Sequence, residues 1–191
     1  NVTILNATTD TKSIAYFKNG VGDEQSDYTV KYAGLTAIDH TYFFYDVSGT
    51  HTRAGSTTVN QKMSASQTQS DATSIASLAA TTKTKSMTYY TNGAGDEQAD
   101  YTIKYAGLTA VDYTYFFYGT SVTHPRAGTA TINTPMYASQ TERTQTNVNV
   151  LNPDDDTKSI TYLNNGVGDE QSDYTVKYAG TTPIDYTYFF Y

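Results

Sequence analysis

The stretch NGVGDEQSDYTVKYAG at residues 19–34 decides how the chain is read, because it occurs again from Asn92 and again from Asn165. Its second half alternates with period two. Tyr28, Val30 and Tyr32 fall on one side of an extended chain, and Asp27, Thr29 and Lys31 on the other. Its first half carries Asn19-Gly20 and then Gly22, residues suited to positive φ and so to a hairpin turn. The segment therefore predicts a turn followed by a half-buried β-strand, three times over.

The repetition extends well beyond these residues. The run beginning at Gly22 returns at Gly95 and Gly168, and that beginning at Thr11 returns at Thr84 and Thr157, always after 73 residues. The more divergent half keeps the same step, since His51, Arg53 and Met63 recur as His124, Arg126 and Met136. Self-similarity at such a period signals an array of like units. The expected organisation is all-β, with tandem Ig-like or β-sandwich modules at residues 1–73 and 74–146. A partial third module at 147–191 lacks its last strand. Differences between copies, such as Ile14 for Met87 and Val30 for Ile103, keep apolar positions apolar, as a shared core requires. Five strands per unit are expected at about 1–7, 11–18, 25–33, 38–46 and 56–65. Residues 71–79 have helical spacing at Ile75, Leu78 and Ala79, but their counterparts from Asn1 and Asn147 read as strands, so a strand is expected there too.

Composition supports the all-β reading and narrows the function. Among 191 residues there are 19 Tyr, 7 Phe, no Trp and no Cys, at a net charge of −7. Tyr-, Thr- and Val-rich sequence favours a pleated, half-buried surface. Without cysteine there is neither a disulfide framework nor a thiolate metal site. The negative charge argues against nucleic acid or an anionic membrane as partner, and no apolar run is long enough to span a bilayer. The absence of an initiator Met and of a signal-peptide core makes a processed chain or a fragment the expectation.

Candidate sites are few. Asp23, Glu24 and Asp27 crowd one turn, as do Asp96, Glu97 and Asp100, and Asp169, Glu170 and Asp173. Clustered carboxylates are the ligands Ca²⁺ takes, so calcium is the one cofactor expectation, against a solvated acidic turn as the simpler alternative. The run Asp154-Asp155-Asp156, present only in the third copy, reads as a linker charge cluster. Asn1 and Asn6 each begin an N-glycosylation pattern. His40 is replaced by tyrosine in the other copies, and His51 and His124 lack a matched nucleophile, so no catalytic constellation is expected and the chain does not read as an enzyme. The tyrosines predict cross-strand aromatic ladders. TYFFY, ending at Tyr45, Tyr118 and Tyr191, is aromatic on both faces and predicts contact with another module or chain.

Module size, repetition, absent Cys and Thr/Tyr-rich strands together resemble the tandem β-sandwich units of bacterial and archaeal surface fibres, stalks and adhesins. That resemblance implies an extracellular structural subunit, a homopolymer joined head to tail, with a cell-surface adhesin or carbohydrate-binding stalk as the alternative and glycans as further partners. The missing last strand of the third module comes either from chain that continues past Tyr191 or from another subunit. In the second case strand donation is the expected joint, with Val2, Ile4 and Leu5 of one copy completing the open edge near Tyr188 and Tyr191 of another.

Overall fold

The computed structural model describes residues 6–57, 60–119 and 124–191. The protein is all-β, with twelve antiparallel strands in one sheet. They are β1 (Ser13–Lys18), β2 (Gln25–Ala33), β3 (Thr36–Val47), β4 (Thr50–Arg53), β5 (Met63–Gln69), β6 (Thr84–Thr91), β7 (Gln98–Ala106), β8 (Thr109–Tyr118), β9 (Met136–Glu142), β10 (Thr157–Asn164), β11 (Gln171–Ala179) and β12 (Thr182–Tyr188). Among the described residues the only helical element is one 3₁₀ turn, Ala127–Thr129. The chain divides into two compact units, Asn1–Met87 with Tyr105–Thr109, and Thr88–Lys104 with Ala110–Tyr191.

In the first unit the strand order is β1-β2-β3-β5, with β4 folded back on β3. Local chemistry sets the turns. Asn19 takes the left-handed conformation (φ 74°) at the β1–β2 turn and Gly22 follows at φ 89°, so the asparagine rather than Gly20 supplies the first positive φ. Ser48 and Gly49 both have positive φ between the paired residues Val47 and Thr50. That is the two-residue hairpin whose twist matches its strands, and the Asp46 carboxylate reinforces it by accepting from the Gly49 N–H. The resulting β4 is absent from the five-strand reading of the sequence.

Register confirms the inner face. Val30 is buried with Tyr28 and Tyr32 half-buried, while Lys31 is exposed. One residue departs from the alternation. Tyr16 faces Tyr28 but Phe17 faces Ser26, which leaves Asp27 as the extra residue of a bulge. Bulges re-aim side chains, and Asp27, expected outward, is only 5% exposed. The same slip leaves Asp173 unpaired opposite β10.

Two further expectations are corrected. The strand expected at 56–65 lies at Met63–Gln69, followed in the second unit by its counterpart Met136–Glu142. These strands bury Gln67, Gln69, Gln140 and Glu142, polar residues that hydrophobic patterning passes over. Residues 71–79 and 147–151 are neither strand nor helix. They run irregularly, apart from one bridge between Ser77 and Thr52, and bury Ile75 and Val148. Side chains hold their backbone in place of a ladder: Gln67 donates to the Ala79 carbonyl at 2.8 Å and accepts its N–H at 3.3 Å. Gln140 does the same at Asn152, at 2.8 and 3.1 Å. The strand expected at 1–7 falls mostly on residues 1–5, outside the described residues.

The second unit follows the order β8-β9-β10-β11-β12. Its core groups Tyr115, Phe117 and Val148, with Tyr101, Tyr113 and Leu151 packed around them. A segment without regular structure thus closes the face of the sheet.

Candidate functional site

The acidic turns come apart in the folded chain. Glu24 turns back to accept the Gly22 N–H at 3.0 Å, and Glu97 and Glu170 do so at Gly95 and Gly168. Asp23 is exposed at the tip, with its N–H closing the turn onto the Gly20 carbonyl; Asp96 and Asp169 close theirs onto Gly93 and Gly166. Asp27 is drawn inward to Arg53, and Asp100 to Arg126. Among the described residues no three acidic or histidine side chains converge in a group that could hold a metal ion. The triplet at 154–156 is more than a linker: Asp154 accepts the Asp156 N–H at 2.8 Å, and its own N–H binds the Thr157 hydroxyl at 2.8 Å, shaping the entry to β10.

Arginine, aspartate and tyrosine form the most organised polar cluster in each unit. Arg53 donates through Nε to Asp27 at 2.9 Å, contacts it again through Nη2, and reaches the Ile75 carbonyl at 2.8 Å. Its guanidinium lies 4.6 Å from the centre of the Tyr42 ring. Arg126 repeats this with both Asp100 oxygens at 2.7 Å, the Val148 carbonyl at 2.9 Å and the Tyr115 ring at 4.6 Å. One side chain therefore ties the bulge, the aromatic face and the covering segment together. Such a fork suits a bidentate carboxylate contact and a ring face at once. Burial pushes the Tyr42 and Tyr115 hydroxyls up from their ordinary range, while the arginines pull the other way. The sequence displays Arg53 and Arg126 at one repeat position, and that was the available signal; their partners, 26 residues away, were not legible.

The expected ladders are present. Tyr16 stacks on Tyr28 at 4.4 Å and Tyr28 meets Tyr42 at 5.8 Å. In the second unit Tyr89, Tyr101 and Tyr115 form one ladder, and Tyr137, Tyr162, Tyr174 and Tyr188 another. The histidines serve packing: His40 is buried on β3, His51 binds the Ser64 hydroxyl at 2.8 Å, and His124 stacks on Tyr137 at 3.5 Å.

What sets the third copy apart is its aromatic face. Phe44 and Phe117 are 0% exposed, whereas their counterpart Phe190 is 92% exposed. Tyr45 and Tyr118 are buried, yet Tyr191 is 82% exposed, although all three donate a hydroxyl hydrogen bond back to the neighbouring strand, at Ser26, Ala99 and Ser172. Tyr188, Tyr186 and Ile184 are exposed beside them. The reason is visible in the first two copies, where β5 pairs with β3 and β9 with β8, and where an arginine and an irregular segment cover the rings. Among the described residues β12 pairs with β11 alone. Of the residues expected to make the subunit contact, Tyr188 and Tyr191 thus lie on this open face, and Val2, Ile4 and Leu5 lie outside the described residues. For glycosylation, Asn6 is exposed and Asn1 lies outside them.

No family model matches the chain, and no curated protein or solved structure matches it either. Among the described residues no helix is long and apolar enough to cross a membrane.

Proposed function

We propose that the protein is a structural subunit of an extracellular filament, built from tandem Ig-like β-sandwich modules of 73 residues and joined head to tail to copies of itself. The observations that support this reading are the 73-residue repetition of the sequence and the exposed rings of Tyr188, Phe190 and Tyr191, whose counterparts are buried in both preceding copies. A chain that runs on past Tyr191 and supplies the missing strand itself overturns the proposed joint. Contiguous apolar surface of this kind marks an interaction site. A head-to-tail contact between identical chains yields a filament unless its rotation closes a ring.

Beside the donated edge strand expected from the sequence, the neighbour's N-terminal segment is suited to act as a cover. Val2 and Leu5 stand at the repeat positions of Ile75 and Leu78, and of Val148 and Leu151, which belong to the irregular segments that close the first two faces. Residues 1–8 of one copy would cover Tyr188 and Phe190 of the next. Negative-stain microscopy tests this directly. The intact chain forms fibres, and a chain lacking residues 1–10 stays folded and dispersed. Normal polymerisation of the truncated chain, or monodisperse rods from the intact one, overturns the reading. The alternative, a surface adhesin or carbohydrate-binding stalk, draws its support from a cleft in the second unit.

A further inference from the structure

The second unit contains a cleft of about 420 Å³ between the Arg126–Asp100 pair and the irregular segment that follows β9. That volume lies within the range of about 300–1,000 Å³ usual for small-molecule sites. Tyr101 and Tyr115 line it, and its rim carries Gln145, Asn147 and Asn149. The three amide residues alternate along the chain with Thr146 and Val148, which do not line the cleft; Val148 is buried, and all three amide residues are exposed. Among the described residues none of these amide side chains has a hydrogen-bond partner within the protein.

The first unit supplies the comparison. It has the same arginine, aspartate and tyrosines, as Arg53, Asp27, Tyr28 and Tyr42, but at the positions of the three amides it has Ala72, Ser74 and Ala76. The packing of the face does not require the amides, since the first unit closes its face without them. Their presence on the covering segment of the second unit, beside a ring-lined cleft, points to a ligand that the first unit does not take.

We propose that this cleft binds a neutral oligosaccharide. Side-chain amides both donate and accept, which matches hydroxyl groups that do the same. Tyrosine offers an apolar ring for the C–H face of a pyranose and a hydroxyl beside it. Charge excludes the acidic sugars. Arg126 is already neutralised through two contacts with Asp100, so no free cation lines the cleft, and the chain as a whole carries −7. The inference is independent of the filament reading, since neither β12 nor the rings that follow it line the cleft.

The test uses the intact chain, labelled with ¹⁵N, and three probes: tetrasaccharides of β-1,4-glucose, β-1,4-N-acetylglucosamine and α-mannose. At about 10 mM sugar, enough to populate a millimolar site, at least one probe shifts the amides of Asp100, Arg126, Gly128 and residues 145–149. The variant Gln145→Ala/Asn147→Ser/Asn149→Ala, which installs the first unit's residues, melts like the parent and binds about tenfold or more weakly, the loss expected for three hydrogen bonds. The reciprocal variant Ala72→Gln/Ser74→Asn/Ala76→Asn adds a second site and doubles the stoichiometry. Silence from all three sugars, or unchanged binding by the first variant, overturns the proposal. Fibre formation is unaffected in either variant, which separates this outcome from that of the assembly experiment.

Discussion

Replacing Glu142 by glutamine should stabilise the second unit, and only above acidic pH. Glu142 is 0% exposed, on β9. One carboxylate oxygen accepts from Gln140 at 2.7 Å and from the Thr157 hydroxyl at 3.0 Å. The other is buried without a partner. Facing it from the covering segment is Asp154, a second carboxyl; across the strand stands Tyr113, and Arg143 next along the chain spends its guanidinium on the carbonyls of Asp156, Thr157 and Tyr178. Among the described residues no cation pairs with Glu142. Burial, foremost, and then the nearby Asp154 push its carboxyl up from the ordinary 4.5, against the pull of Gln140 and Thr157. A raised folded-state value means that stability is fully present below the ordinary value and is lost as pH rises through the folded one. At the equivalent place the first unit has Gln69 facing Thr81, a neutral pair in which the Gln69 Nε2 is itself buried without a partner. In the second unit a glutamine amide would instead face the Asp154 carboxylate, which can accept from it. At pH 4 the parent and Glu142→Gln should therefore melt alike. At pH 8 the variant should gain about 1–3 kcal/mol, the range for a buried polar atom left unsatisfied, or about 2–4 °C per kcal/mol for a chain of this length. Thermal melts followed by tyrosine near-ultraviolet circular dichroism at both pH values measure the difference. An equal gap at pH 4 and pH 8, or a variant less stable at pH 8, would refute the reasoning.

Other substitutions have unequal outcomes at matched positions. Arg53→Ala strands the buried Asp27 carboxylate and should cost about 3–5 kcal/mol in urea unfolding, whereas Arg53→Met combined with Asp27→Leu costs clearly less because no charge is left alone. Phe117→Ala empties a fully buried position and should cost about 3–5 kcal/mol. Phe190→Ala, at an exposed one, should change the melting of the dispersed chain by no more than about 0.5 kcal/mol yet reduce fibre yield; a large effect on the dispersed chain would show that the ring is covered within one molecule. Tyr118→Phe should cost about 1 kcal/mol for its hydroxyl bond to the Ala99 carbonyl, while Tyr191→Phe, with its bond to Ser172 open to water, costs little in the same assay.

The hairpins and the face of each strand were legible in the sequence because they depend on neighbours in the chain. Asn19 and Gly22 bend where positive φ is needed, and Tyr28, Val30 and Tyr32 alternate because the pleat does. Even β4 had a local mark, the Ser48-Gly49 pair. Tertiary structure decided the rest. β5 and β9 are strands lined with Ser and Gln, whose burial is tolerable only because Thr84 and Thr157 and the backbones of Ala79 and Asn152 hydrogen-bond to them. Asp27 is inward because a bulge turns it and Arg53, 26 residues later, receives it. Residues 71–79 had apolar spacing that fitted a helix or a strand; the protein uses them as neither, because side chains from elsewhere satisfy their backbone. The same TYFFY is hidden twice and open once. A side chain's burial depends on what the rest of the fold brings against it, and a buried polar group is stable only when a partner, often remote in the chain, arrives with it.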